Sequence, residues 1–164
     1  MLKKIVLFAL ILLPLGAFAQ EKIAYFNPAE VIVIMPEYKQ MQDSLEKTQA
    51  AIQTELKVLQ EEYNKKYQAF MSEGDSLIES IKIRRLQEIQ DMEQRASVYN
   101  EQSQQELSKL YQSLLAPIQL KVRDAIQAVG KANGFVYILN AEGLLYTSPN
   151  AIDATPLVQK QLGL

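Results

Sequence analysis

Eighty consecutive residues, 37 to 116, hold no proline and a single glycine, Gly74, close to their middle, with Pro36 and Pro117 at the two ends. Glycine and proline are the strongest interrupters of regular structure, so the stretch predicts two long helices folded back on each other at Glu73-Gly74-Asp75. At a rise of about 1.5 Å per residue, each helix before the turn is roughly 55 Å long, more than a compact domain of this size encloses. The hairpin must project, and the rest of the chain has to build a body that carries it.

The apolar pattern supports this arm. On the outward helix it runs Tyr38, Met41, Leu45, Thr48, Ile52, Leu56, Leu59, Tyr63, Tyr67 and Phe70. Steps of three and four that drift from a heptad toward an eleven-residue repeat predict a nearly straight coiled coil. On the return helix the stripe is Ile78, Ile81, Leu86, Ile89, Met92, Ala96, Tyr99, Ser103, Leu107, Leu110 and Leu114, weakened by Ala96 and Ser103 and interrupted by Arg85. Thirteen glutamines lie among the eighty arm residues, with Glu and Lys around them. That polarity predicts a solvated face without chemistry of its own.

Residues 20–35 and 117–164 are left for a discontinuous, β-rich body, with 36–116 as the arm and its tip near 73–75. Lys22-Ile23-Ala24-Tyr25-Phe26 reads as a strand. Asn27-Pro28-Ala29-Glu30 is a helix start, with Asn as cap and Pro at the first helical position. The apolar run Val31 to Met35 suits a strand as well, and the cap favours a short buried helix. The return helix continues past Pro117 to Gly130 or to Asn133-Gly134. With Gly74 as the fold-back point, residue 36 faces residue 112, which puts Pro36 and Pro117 near one level as either an arm hinge or a fixed kink.

After the helix, Phe135 to Leu139, a turn through Asn140-Ala141-Glu142-Gly143, and Leu144-Leu145-Tyr146 have a β-hairpin pattern. Thr155-Pro156 then caps a last short helix. Because the helical hairpin returns the chain to where it left, the strands near the two ends meet. Three short strands make a small core with open edges, so oligomerisation is expected through Ile23, Tyr25, Phe135, Tyr137, Leu139 and Leu144. The predicted fold class is α+β, mostly α.

Lys3 and Lys4, the eleven apolar residues Ile5 to Leu15, and Ala17-Phe18-Ala19 have the plan of a secretory leader, with cleavage after Ala19. Without Lys3 and Lys4, 15 basic residues face 19 acidic ones, a net charge of −4. That charge disfavours nonspecific attraction to nucleic acid or to an anionic membrane. No later segment is apolar enough to enter a bilayer stably. The chain has no cysteine and no histidine, so the commonest nucleophile, general base and transition-metal ligands are missing. No phosphate-binding loop appears. No catalytic, metal or cofactor residue is assigned, and an enzyme is not expected.

Lys22-Ile23-Ala24-Tyr25-Phe26-Asn27, Met35-Pro36-Glu37-Tyr38, the helical hairpin, Pro117-Ile118-Gln119-Leu120-Lys121-Val122, Asn133-Gly134-Phe135, Leu144-Leu145-Tyr146 and Asp153-Ala154-Thr155 follow one another in an order that resembles the Skp/OmpH family of periplasmic chaperones. The resemblance implies a homotrimer in which a small β-rich body carries three arms around a cavity, holding unfolded outer-membrane proteins without ATP. It also implies a periplasmic location and no cofactor. The familiar enterobacterial member is strongly basic and this chain is acidic, so lipopolysaccharide binding and charge-driven capture are not carried over. Phe70, Met71, Leu77, Ile78, Ile81 and Ile83 near the tip are more apolar surface than a two-helix seam covers, which makes them the candidate client contacts. The competing reading is a structural coiled-coil spacer or adaptor with no client-holding activity.

Overall fold

The computed structural model describes residues 21–164, and the predicted leader, residues 1–19, lies outside them. In chain order come β1 (Lys22–Phe26), α1 (Pro28–Ile32), α2 (Pro36–Glu73), a 3-10 turn (Gly74–Ser76), α3 (Glu79–Asn133), β2 (Phe135–Asn140), a second 3-10 turn (Ala141–Gly143), β3 (Ile152–Asp153) and α4 (Thr155–Leu162). The architecture is α+β and mostly helical, a long hairpin of α2 and α3 on a small sheet.

The Asn27 side chain accepts a hydrogen bond from the Ala29 amide at 3.2 Å, and Pro28 supplies the first helical residue of α1. Glu30 accepts from the Asn27 side-chain amide at 2.7 Å, which holds the capping side chain in place. The helix stops at Ile32, short of the predicted end. Met35 precedes a proline, which disfavours helical backbone there, and it is extended at φ −69°, ψ 132°. Val31 and Met35 are buried while Val33 and Ile34 face outward. Pro36 then opens α2.

With 38 residues α2 is about 57 Å long, and the 55 residues of α3 make it about 82 Å. Gly74 is helical at φ −54°, a conformation open to any residue, and the reversal is made by Leu77 and Ile78, which are extended. The fold-back therefore lies several residues beyond Gly74. As a result Glu37 pairs with Lys121, where the sequence reading put residue 36 opposite 112. Pro117 falls roughly one helical turn further out along the arm than Pro36. α3 runs through Pro117 unbroken and ends at Gly134, whose left-handed φ of 66° lets its amide bond back to the Gly130 carbonyl.

The sheet order is β2-β1-β3 and both pairings are parallel. Parallel neighbours need a crossover between them, and here the whole arm is that crossover. The predicted β-hairpin does not form. Asn140 accepts from the Glu142 amide at 3.0 Å and starts the second 3-10 turn, which carries the chain off the sheet. Leu144-Leu145-Tyr146 is in no strand, with Leu145 and Tyr146 exposed, and Ile152–Asp153 takes the free side of β1 instead.

One face of the sheet, through Ala24 and Phe26, joins Val31, Met35, Ile118, Val122, Ala125, Val129, Ala154 and Val158 in the core. Thr155, expected to cap α4, is its first helical residue. Its hydroxyl accepts from the Asn27 amide at 3.1 Å, which ties the start of α4 to the start of α1.

Candidate functional site

Among the described residues, two apolar surfaces lack a covering element of their own. The first is the arm tip. Phe70, Leu77 and Ile81 are half-buried in the turn, the Phe70 ring lying beneath Gly74. Met71, Ile78 and Ile83 are 65%, 66% and 59% exposed, too much apolar area to count as seam packing. The tip beneath them is braced across the two helices. Arg85 binds Glu73 at 2.8 Å, Lys66 binds Glu88 at 2.8 Å, and the Tyr63 hydroxyl donates to Glu93 at 2.8 Å. The hydrogen bond from Lys66 holds the Glu88 carboxyl below its ordinary range, and donation to Glu93 raises the Tyr63 phenol. Arg85, which interrupts the apolar spacing, is the more sheltered of two neighbours, and Leu86 is exposed. The Arg85 ion pair accounts for that exchange, because it needs the inward position to reach Glu73.

The second surface is the outer face of the sheet. Ile23 pairs in register with Tyr137 and Tyr25 with Leu139, so these four side chains share the face opposite the core. Ile23, Tyr137 and Leu139 are exposed and Tyr25 is half-buried. Parallel sheets are normally covered on both faces, and nothing among the described residues covers this one. Phe135, by contrast, packs against the core, and Leu144 is half-buried outside the sheet. Fully exposed Leu145 lies beyond it, a residue that alternation alone could not separate from a strand position.

At the arm base, Pro36 and Pro117 are both on the helix surface. Lys121 donates to Glu37 beside them and keeps that carboxyl below its ordinary range. Further out, an open groove of about 550 Å³ lies between Leu45, Glu46 and Gln49 on α2 and Gln104, Leu107, Ser108 and Tyr111 on α3. The sequence signals nearest to it are Thr48 and Ser103, polar residues within the two apolar stripes. Among the described residues no cluster of acidic, histidine or cysteine side chains is arranged to hold a metal, and no helix is long and apolar enough to cross a membrane.

The family of OmpH-like outer membrane proteins matches residues 22–162, from the first strand to the last helix. The chain belongs to that family. Among solved structures, an OmpH-like protein from Caulobacter crescentus, described as an outer membrane chaperone, superposes with a TM-score of 0.77. It is 16% identical, and the match covers 88% of this chain and 85% of that one. At that identity the likeness is one of fold. No curated relative matches the sequence. For this OmpH-like chain, the body and the arm alike fall inside the matched region.

Proposed function

We propose that this protein is an ATP-independent holding chaperone of the periplasm, exported through a cleaved leader, which shelters unfolded outer-membrane proteins between helical arms. The observation that carries this reading is the exposure of Met71, Ile78 and Ile83 at the end of an arm about 60 Å from the body. A large apolar group held that far from its own core is stable only because the braced turn fixes it, and it is available to another chain. Contacts of this kind are non-directional and need no fixed partner geometry, which suits an unfolded client.

In this reading residues 20–35 and 117–164 are the oligomerisation body and 36–116 the arm. Self-association, a homotrimer by family likeness, uses the open face of Ile23, Tyr25, Tyr137 and Leu139, with Phe135 and Leu144 at its margin. The turn residues Phe70, Leu77 and Ile81 support the contact surface more than they form it. No catalysis, cofactor or nucleic acid takes part, and an acidic surface does not favour lipopolysaccharide.

The test is aggregation of an unfolded outer-membrane β-barrel protein, followed by light scattering at stoichiometric ratio. Intact protein should suppress aggregation, and suppression should persist in salt that screens surface charges beyond about 8 Å. Changing Met71, Ile78 and Ile83 together to Ser should lower client affinity by about tenfold or more, since each loses much of a side chain's burial. Suppression unchanged by the triple substitution would remove the tip from the mechanism. No suppression by the intact protein would favour a spacer.

A further inference from the structure

The chain has five methionines and no cysteine. Met1 falls in the predicted leader, and the four among the described residues divide by exposure. Met35 is 1%, Met41 3% and Met92 9% exposed, whereas Met71 is 65% exposed. Met35 and Met41 belong to the core around the sheet, and Met92 is buried along α3 in the arm. Met71 stands on the last turn of α2, at the same end of the arm as the exposed Ile78 and Ile83. With no thiol to take up an oxidant first, thioether sulfur is the most oxidisable group in this chain, and accessibility decides which sulfur reacts. The fold does not rest on the Met71 side chain. The turn beside it is held by other groups, the Gly74 amide donating to the Phe70 carbonyl and Arg85 binding Glu73 at 2.8 Å.

We propose that Met71 is a reversible oxidation site, with a hypohalous acid as oxidant, and that its oxidation weakens the hold of the arm tip on an unfolded client. In the net reaction with hypochlorous acid the Met71 sulfur gives up two electrons and an S–O bond forms. The O–Cl bond breaks, and chloride and a proton leave. A dithiol reductant reverses the step, taking the oxygen away as water and becoming a disulfide. The sulfoxide is polar and hydrated where the thioether was apolar, so a client must strip water from it to make the same contact. Oxidation at Met35, Met41 or Met92 would put that polar group into packed surroundings and damage the fold. At Met71 it changes the surface alone, which is what separates a switch from a lesion. The functional half of this inference rests on the reading that the tip holds clients.

The site is tested first without any client. Intact protein is treated with increasing equivalents of hypochlorous acid and mapped by peptide mass spectrometry. Met71 should be oxidised at least about tenfold faster than Met35, Met41 and Met92, with circular dichroism and thermal midpoint unchanged. Even oxidation of the four, or loss of structure in step with Met71 oxidation, would overturn the inference. Affinity for an unfolded outer-membrane β-barrel protein is then titrated before and after oxidation. It should fall about threefold, as expected for one apolar contact made polar, and return after treatment with methionine sulfoxide reductase and a dithiol. Met71→Leu keeps an apolar side chain without sulfur, so that variant should bind like the unoxidised protein and should not respond to oxidant. Selective oxidation with unchanged affinity removes the switch and leaves the chaperone reading standing, and an equal loss in the Met71→Leu variant assigns the effect to other groups. If unoxidised protein fails to hold the client at all, the chaperone reading falls and takes the switch with it, while the oxidation map still decides whether Met71 is the reactive site.

Discussion

The body and the arm are both built on helices that bury an apolar stripe, yet they reach different degrees of dryness. In the body Val31 and Val158 are 0% exposed, because the sheet, α1, α3 and α4 close around them. In the arm beyond its base the large apolar residues stop at 7% for Ile89 and 9% for Ile52 and Met92. Two helices cannot surround a side chain, so each seam residue keeps an edge in water. The difference teaches where cooperativity resides: the body should melt as a unit, while the arm opens in segments without taking the body with it.

The largest effect should therefore come from a cavity in the body. Met35→Ala removes a side chain that is fully enclosed, and a loss of about 3 kcal/mol of global stability is expected, within the usual range for such truncations. Ile89→Ala in the arm should cost less than half of that, since the site can collapse or admit water. Chemical denaturation gives the global term, and hydrogen exchange shows whether the arm substitution acts only locally. Equal global losses at the two positions would mean that arm and body unfold together.

The same contrast explains what the sequence discloses and what it conceals. The seam was legible down to Met41, Ile52, Ile89 and Met92, because helical periodicity marks the side of a helix that faces its partner. The helix stop was legible only as a choice between Gly130 and Asn133-Gly134, and the chain uses the second, where Gly134 takes the left-handed backbone. The body was less so. Leu144-Leu145-Tyr146 alternates like a strand, and only pairing decides whether such a segment joins a sheet; here Asn140 turns the chain away first. At the tip, composition singled out six apolar residues. It could not divide them into Phe70, Leu77 and Ile81, turned toward the fold, and Met71, Ile78 and Ile83, turned outward, because that division depends on the path of the turn. The Gly74 reading failed by a few residues for the same reason: a glycine marks where a helix can end, not where the chain reverses.

A smaller effect sharpens the account of the body. Thr155 is buried and its hydroxyl is the acceptor for the Asn27 amide across 128 residues of sequence. Thr155→Val keeps the volume and removes the acceptor. A loss of about 1 to 2 kcal/mol is expected from leaving the amide unpaired. Thr155→Ser should retain most of the stability. If Val and Ser behave alike in thermal unfolding, packing of the methyl group matters at that position and the hydrogen bond does not.

The smallest effect concerns charge, and it separates the arm base from the core behind it. Glu37 is held below its ordinary value of 4.5, chiefly by the hydrogen bond from Lys121. A carboxyl whose folded value is depressed adds stability that is fully present above its unfolded value and is lost as pH falls through the folded one. The contribution is thus available at neutral pH and disappears on the acid side of about 4.5. Both partners of the pair remain partly exposed, although Glu37 Oε2 is itself buried without a partner, so screening keeps the benefit small. Glu37→Gln should lower the thermal midpoint by only about 1 to 2 °C at pH 6, less in high salt, and by nothing measurable once the carboxyl of the unaltered protein is itself protonated. A larger, salt-independent loss at pH 6 would show that Glu37 is part of the body's closed core, and the boundary between dry body and wet arm would have to be moved outward past the first turn of α2.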